Sequence, residues 1–108
     1  MPRAERKRSK TRTYHIMLRG INKQNIFEES ADYLRFLAIL SEVKKLSGFK
    51  LFAYCLMGNY VHMLIREGEE LLPRIVKRIM ARYVFWFNMK YDRNGPLFQG
   101  RFRSEPVD

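Results

Sequence analysis

Apolar and polar positions change period several times along this chain, and each change marks an element. From Thr13 to Arg19 they alternate: Tyr14, Ile16 and Leu18 fall on one side, and Thr13, His15, Met17 and Arg19 on the other. That is the period of a strand with one buried face. Gly20 to Glu29 breaks the pattern with Asn22, Lys23, Gln24 and Asn25, a polar loop. From Tyr33 the period lengthens. Tyr33, Phe36, Leu37, Leu40, Val43 and Leu46 recur at three and four residues, which predicts an amphipathic helix. Ser30 is placed to cap it, Asp32 suits its positive N-terminal end, and Gly48 can close it in the left-handed conformation.

Phe49 to Met57 and Tyr60 to Arg66 read as the arms of a hairpin around Gly58-Asn59, a pair that predicts a type II′ turn with positive φ at the glycine. In that register Met57 faces Tyr60, Cys55 faces His62 and Ala53 faces Leu64, while Val61, Met63 and Ile65 turn to the core. A second helix is predicted from Leu71 to Tyr91, with Pro73 in its first turn and a buried stripe of Leu72, Ile75, Val76, Ile79, Tyr83 and Trp86 or Phe87. A turn at Asp92–Gly95 leads to a loop and a last strand ending near Val107. Strand, helix, strand, strand, helix, strand predicts an α+β domain of ferredoxin-like, split βαβ type, with a central antiparallel sheet and two main helices. The first and third strands are then neighbours, and His15 and His62 share the face opposite the core.

Charge sharpens the picture. The 108 residues form one domain's worth of chain, with 21 Lys and Arg against 11 Asp and Glu, a net charge of +10 and a pI near 10.1. Such a balance calls for a polyanion, nucleic acid first. Residues 1–12, with Arg3, Arg6, Lys7, Arg8, Lys10 and Arg12, are expected as a basic mobile arm ahead of a domain at 13–108. On the second helix Arg74, Lys77, Arg78 and Arg82 share one side without compensating acids, so an external anion would relieve their repulsion. Arg101 and Arg103 flank Phe102, a combination suited to an unstacked strand of bases, with Phe102 turned to the core and Arg101 to DNA. The single Cys55 excludes an intrachain disulfide and any cysteine cluster. No apolar run reaches the roughly 18 residues of a membrane span, and a cytoplasmic location is the default expectation.

Four stretches, Tyr14–Gly20, Tyr54–Met57, Leu56–Arg66 and Gly95–Ser104, resemble in order and spacing the single-tyrosine HUH-type transposases, nearest the branch of REP-associated tyrosine transposases. The resemblance implies binding of hairpin or single-stranded DNA, strand cleavage and rejoining through a phosphotyrosine with Mg²⁺ or Mn²⁺, and a homodimer. Of that family's two metal-binding histidines only His62 carries over; Tyr60 stands in place of the other, and His15 is the nearest candidate to fill the gap. Arg19, Lys23, Arg74, Lys77, Arg78, Arg82, Arg101 and Arg103 are the expected DNA contacts. No catalytic nucleophile carries over, since the family's tyrosine lies on a helix beyond the strand holding Arg101–Ser104 and the sequence ends at Asp108. A transposase-family DNA-binding protein and a non-catalytic nucleic-acid-binding module, including an RNA-binding one, both remain open at this point.

Overall fold

Two rows of alternating apolar residues, pressed together, build the centre of the molecule. The computed structural model describes residues 7–108. In chain order they form β1 (Thr13–Arg19), a 3₁₀ turn (Ile21–Lys23), α1 (Ser30–Ser47), β2 (Lys50–Met57), β3 (Tyr60–Arg66), α2 (Leu72–Lys90) and β4 (Arg103–Val107). The sheet runs β2-β3-β1-β4 with every neighbour antiparallel, the split βαβ order that the sequence predicts. Tyr14, Ile16 and Leu18 pair directly with Ile65, Met63 and Val61, and all six are buried. Both helices lie on that side, α2 through Leu72, Ile75, Val76, Ile79, Tyr83 and Phe87. The opposite face, carrying the other residues of each strand, is left uncovered by any described helix.

Several local expectations are corrected. Along α1 the buried line is Phe36, Ile39, Leu40 and Val43, continuing to Ser47; Leu46, expected on that line three residues after Val43, is instead 54% exposed, the last turn burying Ser47 in its place. Glu29, not Ser30, is the N-cap, and Glu29 and Asp32 form a reciprocal capping box. Gly48 does end α1 in the left-handed region, at φ 72°. Gly58 is not among the positive-φ residues, so its turn is not type II′. Glycine is suited there by proximity instead: its carbonyl accepts from the Ile26 and Phe27 amides at 2.8 and 3.1 Å, and a Cβ would stand 3.3 Å from Asn25 Oδ1.

The basic arm divides in two. Residues 1–6 lie outside the described residues. The rest, expected to be mobile, is pinned from Ser9 onward: the Ser9 hydroxyl donates to the Val107 carbonyl at 2.9 Å, the Lys10 amide donates to Asp108 Oδ1 at 2.6 Å, and Arg12 pairs with Glu67. The first two contacts tie the entry to β1 against the end of the edge strand β4, and the third ties it to the residue after β3.

Candidate nucleic-acid interface

Alternation along β1 and β3 puts His15 and His62 on the uncovered face, and antiparallel register brings them together. His62 pairs with Met17, and His15 with Leu64, so the two imidazoles are diagonal neighbours. Their ring centroids are 5.5 Å apart in an edge-on arrangement, and the Tyr60 ring lies 5.2 Å from His62 on its other side. Cys55 faces His62 from β2 and is exposed. A shallow hollow of about 260 Å³ is lined by His15, His62, Cys55, Ala53 and Leu64 among others. His15 therefore stands beside His62 on the side away from Tyr60 and not, as expected, next to position 60, because it pairs with Leu64 while Tyr60 pairs with Arg19.

Two imidazoles do not make a divalent-ion site. Among the described residues no three His, Cys, Asp or Glu side chains converge as ligands, although Glu105 pairs with His15 across the β1–β4 ladder. Mg²⁺ demands near-octahedral oxygen ligation, which these side chains do not offer. The residues present do not fit the complete centre that the resemblance implies.

A second hollow, of about 350 Å³, opens where the sheet meets its loops, lined by Met17, Arg19, Gly20, Lys23, Asn59, Tyr60 and Gln99. Arg19 pairs directly with Tyr60 in the β1–β3 ladder. Three backbone ties fix its walls: the Gly20 amide donates to the Asn59 carbonyl at 2.9 Å, that of Ile21 to Leu97 at 2.8 Å, and that of Gln99 to Arg19 at 2.8 Å. Gly20 is needed for this closeness, since a Cβ would sit 2.0 Å from the Gln24 carbonyl oxygen. Sequence reading placed Asn59 only in the hairpin turn and Gln99 only within the Gly95–Ser104 stretch, and gave neither a place in a site. Nothing in their local pattern marks them; only the meeting of the hairpin turn, the loop after β1 and the loop after α2 does so.

The cations sort into two groups. On α2 the expectation of uncompensated charge is corrected. Arg78 makes two 2.9 Å bonds to Glu70, Arg74 lies 3.4 Å from the same carboxylate, and Arg82 pairs with Glu42 at 3.2 Å. Hydrogen bonds from Arg78 and then Ser47, against a smaller opposing effect of burial, hold Glu70 down to about 2. The acids come from the α2 approach and from α1, so spacing along α2 alone could not show them. Lys77 and Arg101 instead border a separate, largely apolar groove with Met80, Val84, Phe85 and Phe102. By register, Arg19, Arg66 and Arg103 stand on the uncovered face, with Lys50 beside Arg66, and none of them forms an ion pair with a described residue. Lys50 and Arg66 were not among the expected DNA contacts, although their strand parity was readable.

The helix tyrosines are committed elsewhere. Tyr83 is fully buried, its hydroxyl donating to the Ile26 carbonyl, and burial pushes its pKa well above the ordinary phenol value. Tyr91 donates to Asp32.

Together these features define a ferredoxin-like α+β domain with one cationic, histidine-bearing sheet face. A family model described as "Transposase IS200 like" matches residues 8–108, and the chain belongs to that family. Among solved structures, it is similar to a REP-associated tyrosine transposase bound to a REP hairpin, with a TM-score of 0.76 and 16% identity over 100% of this chain. This chain spans 63% of that protein's length. It is also similar to a provisionally assigned transposase from Deinococcus radiodurans R1, with a TM-score of 0.67 and 20% identity, covering 99% of this chain and 87% of that one. No curated protein matches the sequence significantly.

Proposed function

We propose that this protein binds single-stranded or hairpin DNA on the uncovered sheet face, as the DNA-holding part of an IS200-like transposase. One observation carries the reading: Arg19, Arg66 and Arg103, which form no ion pair with a described residue, share a face with His15, Tyr60 and His62, whereas Arg74, Arg78 and Arg82 are satisfied by carboxylates elsewhere. Unpaired guanidinium and ammonium groups beside an aromatic ring suit phosphates threaded past unstacked bases. The similar transposase bound to a REP hairpin supports the choice of DNA. By family resemblance the full reaction would be cleavage and rejoining through a phosphotyrosine, and the assembly a homodimer. Among the described residues only Tyr60 brings a hydroxyl beside His62, from the same strand, a poor direction for in-line attack. The chain is therefore assigned the binding half of that reaction.

The test compares a DNA hairpin carrying a single-stranded tail, a blunt duplex and an RNA of the same tail sequence at matched salt, by fluorescence anisotropy. Tailed hairpin should bind tightest, and incubation with Mn²⁺ should leave no covalent adduct on a denaturing gel. Preference for the RNA would favour the RNA-binding alternative, and an adduct would restore catalysis to this chain.

Whatever affinity the face has for a divalent ion rests on both imidazoles, with water supplying the remaining ligands. His15→Ala and His62→Ala should then each weaken Mn²⁺ binding in calorimetry to the level of the double variant. A His15→Ala protein that binds as the wild type does would remove His15 from the site.

A further inference from the structure

The hollow at Tyr60 has a composition of its own. Its lining holds one aromatic ring, two cations, two side-chain amides and a methionine, and no carboxylate. None of Arg19, Lys23, Asn59, Tyr60 or Gln99 spends its side-chain polar group on a hydrogen bond or ion pair with another described residue. That contrasts with Arg78, Arg82 and Lys90, whose charges are all met inside the protein. Unspent cations repel a cationic ligand and attract an anionic one. Unspent amides offer a donor and an acceptor each, the complement of a nucleobase edge. A volume of about 350 Å³ lies in the range of small-molecule pockets.

Position 60 gives the hollow its meaning. Where the resemblance calls for an imidazole, a phenol removes a nitrogen lone pair and adds a broad π face. Arg19 lies beside that ring by strand pairing, and Lys23 is held at the rim by two successive left-handed residues, Asn22 at φ 53° and Lys23 at φ 62°. Non-glycine residues keep such angles only where their surroundings over-determine them. Here the Gly20, Ile21 and Gln99 amides supply that constraint.

We infer that this hollow is a nucleotide pocket. Tyr60 stacks on one unpaired base, Arg19 and Lys23 hold its phosphate, and Asn59 and Gln99 meet its edge, all without a metal ion. The inference rests on the single-strand reading above and deepens it: the substitution that spoils the metal centre supplies a base platform, so DNA affinity and divalent-ion affinity are separate properties of this face.

The experiment uses the 108-residue chain and a fluorescein-labelled dT octamer, titrated at low salt in EDTA and again in Mn²⁺. Affinity should be the same in both. Tyr60→Ala should weaken it about tenfold and Tyr60→Phe should leave it unchanged, because stacking on an aromatic is worth about that much per base. Independently of any variant, an octamer carrying 5-iodouracil, irradiated with the wild-type protein in EDTA, should crosslink to Tyr60. A requirement for Mn²⁺, an unaffected Tyr60→Ala protein, or crosslinks confined to other exposed aromatics such as Tyr54 or Phe85 would overturn the pocket while DNA binding stands. If no octamer binds at low salt, the single-strand reading falls and the pocket with it.

Discussion

Asp32→Ala is expected to cost about 3 kcal/mol of stability, measured by urea denaturation at pH 7, the range for breaking a buried, hydrogen-bonded charge discounted for its partly exposed partner. The Asp32 side chain is fully buried in the first turn of α1. Its carboxylate accepts from the Glu28 and Glu29 amides at 2.8 and 3.2 Å, from the Tyr91 hydroxyl at 2.5 Å and from Lys90 at 2.7 Å. Removing it strips a cap from α1 and unties the C-terminal end of α2 from it. Burial works to raise the Asp32 pKa, but the bonds from Lys90, Tyr91 and the two amides outweigh it, and the net shift is downward. A carboxyl whose folded pKa lies below its unfolded value, about 3.9, contributes fully above that value and loses its contribution as pH falls through the folded pKa. The wild type should therefore lose part of its advantage over Asp32→Ala below about pH 4. A gap between the two proteins that stays constant from pH 7 to pH 2.5 would contradict this account.

The same tie marks the limit of what the linear pattern reveals. Periods of two and of about three and a half located β1, β3 and α2 almost to the residue, because one face of each is buried and that demand is written on every second or every third and fourth side chain. Strand parity likewise placed His15, Tyr60 and His62 together, since antiparallel register is fixed once the core faces are fixed. The pattern is silent on groups that meet through loops. Asp32 finds Lys90 some 58 positions away, and Arg82 finds Glu42 at 40, so the balance of charge on α2 was misjudged from α2 alone. Gly58 was misjudged for a related reason. A two-residue turn reads as conformational need, whereas the constraint comes from the loop holding Asn25, Ile26 and Phe27. Asn59 and Gln99 belong to the same class, each ordinary in its own segment and significant only where three segments meet.

Salt should weaken binding of single-stranded DNA roughly fiftyfold between 50 and 200 mM, and the loss should trace to the cations that form no ion pair with a described residue. Each phosphate neutralised on a single strand contributes about 0.7 to the slope of log affinity against log salt. Four contacts, from Arg19, Lys23, Arg66 and Arg103, give a slope near −2.8. Replacing Arg19 and Lys23 together by alanine should reduce the magnitude of that slope by about 1.4. Replacing Arg78 and Arg82 should leave it unchanged, because each already gives its charge to a carboxylate: Arg78 to Glu70 and Arg82 to Glu42. To bind a phosphate, either would first have to abandon an ion pair, and Arg78 would forfeit two hydrogen bonds at 2.9 Å. The comparison therefore tests which side of the molecule meets the DNA. A slope that falls with Arg78 and Arg82 but not with Arg19 and Lys23 would move the interface from the sheet face to the outer surface of α2, and His62 would then have no part in it.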